Sequence, residues 1–384
     1  MSLTSFSFPT PILFGSGSLR ELPARLLALK VYTPLVVTDP GLIETDAFRI
    51  LGEILGETKR GTDWFVFSDV HPNPIVSDVA AAAAAFVRHR CDGVIAFGGG
   101  SALDAGKAAR LLVKHPSFDL THFPEELDWS GLVPCIAVPT TAGTGSEVGR
   151  SAVITMESSR RKAILFHREL LPHLVILDPE LTRGLPPKLT AATGADALTH
   201  CIESFTCPTF HPMCDGIALE GIHRIVHALP QAVRDGDNVE ARGVMLMAAT
   251  MGAVAFQKDL GVVHSLSHPL SSLCGMHHGL ANALCLVAAM TFNAERKPGL
   301  YRRVGIACGL DVFRVPAAEA DRVTIGFIAR FLGELGLNTR LSDHGILAGQ
   351  LEELVGQAFE DPCHRTNAVA VTREDLRQLY LAAL

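Results

Sequence analysis

The 384-residue sequence predicts an α/β domain with a parallel sheet over residues 1–183, followed by an all-α domain over residues 184–384. Three observations carry this. Short apolar runs alternate with helical stretches through the first half. Each run ends at a turn or next to polar residues, most of them rich in Gly, Thr or Asp. From about Gly184 onward the strand-like runs nearly vanish.

The strand candidates come in order. Residues 34–38 (PLVVT) end at Asp39-Pro40-Gly41, and residues 64–68 (WFVFS) form the next run. Residues 93–97 (GVIAF) lead into Gly98-Gly99-Gly100. Residues 135–138 (CIAV) lead into Pro139-Thr140-Thr141, and 174–177 (LVIL) into Asp178-Pro179. Helical stretches at 76–89 and 102–114 lie between them. Fully apolar strands separated by helices argue a Rossmann-like parallel sheet covered on both faces. In such sheets ligands bind beyond the carboxyl ends of the strands. Gly184-Leu185-Pro186-Pro187 breaks both periodicities and marks the boundary. Residues 187–205, 212–227, 241–256 and 318–336 then read as helices.

Composition narrows the function classes. The formal charge is −7 with no basic block, which argues against a nucleic-acid partner. The longest apolar stretches, 79–87 and 279–292, fall short of the roughly 18–20 residues of a spanning helix, so no membrane partner is expected. The opening MSLTSFSFPTPILFG has no basic n-region and no long apolar run, so no secretory signal is expected. The nine scattered cysteines contain no C-x-x-C pair and read as buried, reduced thiols of a cytoplasmic protein.

Two loops carry nucleotide-binding chemistry. Gly98-Gly99-Gly100-Ser101 lies between a strand and a helix. Glycines there admit close backbone approach, and a helix N-terminus favours an anion such as a pyrophosphate. The pattern is not G-x-G-x-x-G, and Asp104 and Lys107 follow within the helix. The second loop, residues 139–147 (PTTAGTGSE), offers hydroxyls to phosphate or ribose oxygens. Asp39, at the end of the first strand, suits a ribose 2′-hydroxyl.

A second constellation lies in the helical half. Asp196 and His200 are four apart and share one helix face. Residues 264–278 (HSLSHPLSSLCGMHH) hold His264, His268, His277 and His278. One carboxylate and two or three imidazoles make an N/O site for a divalent ion, with an open position for catalysis. The spacing alone does not choose between His277 and His278.

Taken together, these motifs resemble the iron-containing (group III) alcohol dehydrogenases over nearly the whole chain. The resemblance rests on ILFGSGSL (12–19), TDPGL (38–42), HPNP (71–74), GGGSALDAGK (98–107), PTTAGTGSE (139–147), the Asp196/His200 segment, VHSLSHPL (263–270), HHGLANAL (277–284) and the closing LRQLYLAAL. It implies the architecture shared with the dehydroquinate synthase-like enzymes. It implies a divalent metal, ferrous iron or zinc, on Asp196, His200, His264 and His278, with His268 as an additional active-site histidine. It implies NAD held by Asp39, Asn73, Gly98, Gly99, Gly100, Ser101, Thr140, Thr141, Lys162 and Leu181, with Asp104 and Thr144 in the same two loops. A homodimer or larger homo-oligomer is expected. The sequence departs from the family at Gly149, at Asp259, where Gly is usual, and at Asn367-Ala368-Val369.

Within the family, SEVGRSAVI (146–154), AFQK (255–258) and DPCHRTN (361–367) are similar to the 4-hydroxybutyrate dehydrogenase branch. Arg150, Lys258 and Arg365 in these segments are candidates for a substrate carboxylate. The expected activity is NAD-dependent interconversion of a primary alcohol and its aldehyde. The alternatives are a dehydroquinate synthase-like or glycerol dehydrogenase-like metal/NAD enzyme, a maleylacetate reductase relative, and a non-catalytic NAD sensor. Mostly apolar neighbours such as Leu266, Leu270 and Leu273 disfavour a phosphorylated substrate, and four filled ligand positions disfavour a metal-free enzyme.

Overall fold

The computed structural model describes residues 8, 10–57, 63–120 and 127–384. Apart from Phe8, the first nine residues, where a signal would begin, lie outside the described residues. The chain forms two compact units. One holds Phe8–Thr141 and Gly145–Leu185; the other holds Ala142–Thr144 and Pro186–Leu384.

The first unit contains strands β1 (Ile12–Phe14), β2 (Pro34–Val37), β3 (Phe65–Phe67), β4 (Gly93–Gly98), β5 (Cys135–Pro139), β6 (Ser151–Met156), β7 (Arg161–Phe166) and β8 (Leu174–Leu177). Six of them form one sheet in the order β1-β8-β5-β4-β2-β3, with every pairing parallel. The β6–β7 pair is a separate antiparallel hairpin. Helices α1 (Leu22–Ala28), α2 (Asp46–Gly56), α3 (Val76–Arg88) and α4 (Gly100–Lys114) supply the cover. Successive strand residues point to opposite faces. Accordingly Leu35, Val37, Val94, Ala96 and Ala137 cluster with Val79 and Phe86 of α3 and with Leu103 and Leu111 of α4. Val36, Ile95, Phe97, Ile136 and Val138 cluster with Leu22, Leu26 and Leu51 on the other face. Both faces are buried, which is why the strands read as unbroken apolar runs.

The second unit is helical: α5 (Pro187–Thr206), α6 (Pro212–Arg234), α7 (Val239–Ala255), α8 (Val262–Cys274), α9 (His278–Arg296), α10 (Arg302–Ala307), α11 (Ala317–Glu334), α12 (Leu351–Glu360) and α13 (Arg373–Ala383). The stretch Val239–Lys258 is long and apolar enough to cross a membrane by length and composition alone, but 61% of it is buried inside this unit. Pro187 opens α5 with a backbone angle already suited to a first turn. Gly279 lets α9 rest on α5: a Cβ there would lie 2.2 Å from the Ala192 carbonyl oxygen. That approach carries His278 towards Asp196.

Asp259, just before α8, holds φ +82° and ψ 178°. That region is essentially open only to glycine, and a side chain there costs about 1–3 kcal/mol. Asp259→Gly is therefore expected to raise stability by about 1–2 kcal/mol. Urea unfolding of the metal-free protein checks this, and an unchanged midpoint would count against strain at this residue.

Candidate active site

The helical unit gathers a cluster of ligating side chains. Asp196 and His200 sit one turn apart on α5, His264 and His268 one turn apart on α8, and His278 opens α9. Asp196, His200 and His264 are buried, and one ligating atom from each lies within 4.8 Å of the other two. Asp196 Oδ1 is 3.6 Å from His200 Nε2 and 3.7 Å from His278 Nε2. The rings of His264 and His278 are 5.4 Å apart between centroids. His277, by contrast, is exposed as the residue before α9.

Three residues outside the expected ligand set, Glu203, Asn282 and Asp361, hold this cluster in place. Glu203 Oε1 accepts from the Val263 N–H at 2.7 Å, and Oε2 meets His264 Nδ1 at 2.6 Å. The carboxylate thus caps an otherwise unpaired N–H in the first turn of α8 and turns His264 Nε2 towards Asp196. Asn282, one turn after His278, donates to Asp196 Oδ1 at 2.6 Å and lies 3.3 Å from the Nε2 atoms of His264 and His278. Asp361 Oδ2 meets His268 Nδ1 at 2.7 Å. Glu203 lies three residues beyond His200 on the same face, so continuing the helical spacing would have reached it. Asp361 is 93 residues from His268 and gives no local signal.

The donor chemistry fits a divalent cation. One carboxylate and three imidazoles are a set that suits iron or zinc. Burial pushes His200 down to about 4, against the opposing pull of Asp196, so the ring is neutral at physiological pH with a lone pair to donate. A carboxylate on Nδ1 fixes the tautomer of His264 that presents Nε2 as the ligating nitrogen.

In the α/β unit Asp39, residues 98–101, Thr140 and Thr141 fall at the carboxyl ends of β2, β4 and β5, and Asn73 follows β3. The sheet order reverses direction between β2 and β4, a switch point where such sheets bind ligands. Gly98 holds φ +146°, and a Cβ would strike Ala102 at 2.8 Å, so only glycine serves there. Gly99 precedes α4 with no side-chain cap, leaving its first N–H groups to a ligand. Asp39 is half-buried; its Oδ2 flanks Gly98 at 3.4 Å from the position of a Cβ. Burial pushes its carboxyl up, opposed by the N–H groups of Gly41 and Leu42. The Asn73 N–H donates to Ser101 Oγ at 3.2 Å, and the Thr140 N–H to the Gly98 carbonyl at 3.0 Å. Thr141 Oγ1 stands 3.5 Å from the Cβ position of Gly99. Lys162 lies in β7, outside the six-stranded sheet. Thr144 falls in the short segment that belongs to the helical unit.

Other expected contacts turn inwards. Asp104 is buried; Oδ1 accepts from Ser146 and lies 3.2 Å from Lys107 Nζ, and Oδ2 accepts from the Val153 N–H at 2.9 Å. Its carboxylate braces the β6–β7 hairpin instead of offering itself to a cofactor. Leu181 is only 2% exposed, packed in the core. Of the candidate substrate cations, Lys258 is buried and committed to Asp215 and to the Phe205 carbonyl, because Asp215 stands beside it on α6. Arg150 is half-buried, 5.3 Å from the centre of the Phe166 ring. Arg365 is exposed on the turn Cys363–Thr366.

Comparison with known proteins places the whole chain beside one family. The sequence matches the family description "Iron-containing alcohol dehydrogenase" over residues 9–179 and "Fe-containing alcohol dehydrogenase family, C-terminal" over residues 190–384. It is 38% identical over 386 residues to a 4-hydroxybutyrate dehydrogenase from Cupriavidus necator, covering 95% of each chain. A solved 1,3-propanediol oxidoreductase superposes with a TM-score of 0.95 at 31% identity, covering 100% of both chains. A sulfoacetaldehyde reductase from Bifidobacterium kashiwanohense, solved in complex with NAD+, superposes with a TM-score of 0.87 at 30% identity, covering 100% of this chain and 99% of the other.

Proposed function

The chain belongs to the iron-containing alcohol dehydrogenase family, and from that premise we propose that its substrate pair is 4-hydroxybutyrate and succinic semialdehyde. It is an oxidoreductase that interconverts an alcohol and its aldehyde with NAD and a divalent metal. The observation that carries the site assignment is the convergence of buried Asp196, His200 and His264, with half-buried His278 3.7 Å from Asp196. These four residues would hold the ion. When bound, the ion supplies Lewis acidity at the substrate oxygen and the nicotinamide supplies the hydride acceptor.

The chain's own residues do the rest. Glu203 and Asn282 orient the ligands. His268, buried beside His278 with ring centroids 5.4 Å apart, takes the hydroxyl proton through Nε2 and passes it towards solvent. The glycine loop and α4 N-terminus bind the pyrophosphate, with Thr140 and Thr141 beside them. Seven of the nine cysteines are buried, which supports a reducing, cytoplasmic setting. The family resemblance supports a homodimer or larger assembly. Metal analysis of protein purified without oxygen, with an aldehyde panel on the same sample, tests the whole reading.

Asp39 makes cofactor choice predictable. Its carboxylate can accept from the 2′-hydroxyl of NAD, whereas the 2′-phosphate of NADP would meet a like charge. NAD is expected to be preferred, and Asp39→Gly to relax that preference. Steady-state kinetics with both cofactors decide it; equal efficiency in the unmodified enzyme would contradict the assignment.

Substrate choice rests on fewer cations than the sequence offered. Lys258 is neutralised by Asp215, which leaves Arg150 and Arg365 for a carboxylate. An exposed Arg contributes about 1 kcal/mol, so succinic semialdehyde should exceed butanal in kcat/KM by roughly 5- to 10-fold. Arg365→Ala or Arg150→Ala should narrow that gap, whereas Lys258→Ala should lower stability and leave the preference intact. If butanal is the better substrate, the enzyme is a general aliphatic alcohol dehydrogenase.

A further inference from the structure

We propose that Asp361 is a positioning residue for proton transfer, one that fixes His268 in the tautomer with its proton on Nδ1 and its lone pair on Nε2. This rests on the reading of His268 as the residue that moves the hydroxyl proton.

The argument is one of hydrogen-bond direction. Asp361 ends α12 and its Oδ2 lies 2.7 Å from His268 Nδ1. Its Oδ1 accepts from the Cys363 N–H at 2.9 Å and from Ser265 Oγ at 2.8 Å. Ser265 Oγ itself accepts the His364 N–H at 2.8 Å, so its one proton is directed at Asp361. Burial pushes the Asp361 carboxyl up, but His268, the Cys363 N–H and the Ser265 hydroxyl outweigh it and hold the carboxyl well below the usual range. An ionised carboxylate only accepts. Nδ1 of His268 must therefore donate, and the acceptor nitrogen is Nε2.

The same group is not a second metal site. Ligating atoms of His268, Asp361 and Cys363 lie within 4.8 Å of one another. The Nδ1 atom of His268 that faces Asp361 carries the shared proton and offers no lone pair, and both Asp361 oxygens already accept, from His268 on one side and from the Cys363 N–H and the Ser265 hydroxyl on the other.

The amide isostere makes the idea testable. In Asp361→Asn one side-chain atom accepts and the other donates. The Cys363 N–H is fixed in the backbone and needs an acceptor, so the amide carbonyl takes the place of Oδ1. The NH2 group then faces His268 Nδ1. Two donors cannot face each other, so the ring proton moves to Nε2 and the lone pair on Nδ1 points at the introduced amide. The equivalent inversion in a serine protease triad costs about 10^4 in kcat. General base catalysis as a whole contributes about 10^2–10^4.

The experiment uses the zinc-loaded enzyme labelled with 15N-histidine, with His268 resonances assigned from the spectrum of His268→Gln. The native enzyme should show Nδ1 protonated and Nε2 unprotonated. Asp361→Asn should show the reverse, with metal content and KM unchanged and kcat lower by about 10^2–10^4. An unchanged tautomer in Asp361→Asn overturns the proposal. So does an inverted tautomer with kcat intact in an enzyme that His268→Ala inactivates. If Asp361→Asn does not fold, an Nε2-protonated His268 in the native spectrum still overturns it. Full turnover in His268→Ala would show that the reading of His268 has failed; the tautomers would then still decide whether Asp361 sets the ring.

Discussion

Replacing His264 with alanine is expected to abolish metal binding and to lower turnover by about 10^3-fold or more, the loss of several kcal/mol of Lewis-acid stabilisation. His264 is 1% exposed and stands between the α5 pair and His278, with its ring 4.9 Å from His200 and 5.4 Å from His278. Removing it takes away one ligand and leaves the buried Glu203 carboxylate with the Val263 N–H but without its second donor. A buried carboxylate short of a hydrogen-bond donor is costly, which further disfavours the native geometry of the remaining cluster. His278→Ala should behave alike, and chelators should inactivate the native enzyme, with rescue by ferrous or zinc ions. Binding of NAD(H) to the α/β unit should survive in both variants. Metal content and NADH fluorescence on the same samples check the two halves separately. Loss of metal in His277→Ala but not in His278→Ala would reverse the ligand assignment.

Much of this arrangement is legible in the sequence, for physical reasons. Strands buried on both faces must be apolar throughout, so β2, β4, β5 and β8 are conspicuous. Strand β1 has only three residues, and Phe14 is 49% exposed at the sheet edge, so its signal is weak. The β6–β7 hairpin escapes a sequence reading because exposed Ile164 and Phe166 interrupt the expected alternation of apolar-in and polar-out. Within the site, i,i+4 spacing exposes Asp196 with His200 and His264 with His268. What spacing cannot show is a partner on another helix. Lys258 looks like an available cation until Asp215, 43 residues earlier, is placed beside it. Asp104 looks like part of a phosphate loop until the Val153 N–H is seen to take its second oxygen.

Glu203→Gln is expected to weaken metal binding by roughly 5- to 150-fold, although Glu203 is not among the proposed ligands. The native carboxylate accepts from two sides: the Val263 N–H at 2.7 Å and His264 Nδ1 at 2.6 Å. Glutamine has the same shape but only one acceptor atom. If its carbonyl keeps the Val263 N–H, its NH2 faces His264 Nδ1 and drives the ring proton to Nε2, where it blocks ligation. If the amide turns over instead, His264 keeps its tautomer and the Val263 N–H loses its acceptor inside α8. The second arrangement costs about 1–3 kcal/mol for one unsatisfied buried donor. The metal can always select it, so that cost sets the ceiling on lost affinity, roughly 5- to 150-fold. The range agrees with the roughly 10- to 100-fold usual for a residue that orients a histidine ligand. Competition of the metal-free protein against a chromophoric chelator measures the affinity directly, without recourse to turnover. Zinc affinity within about twofold of native in Glu203→Gln would mean that Glu203 caps α8 and does nothing more for the metal.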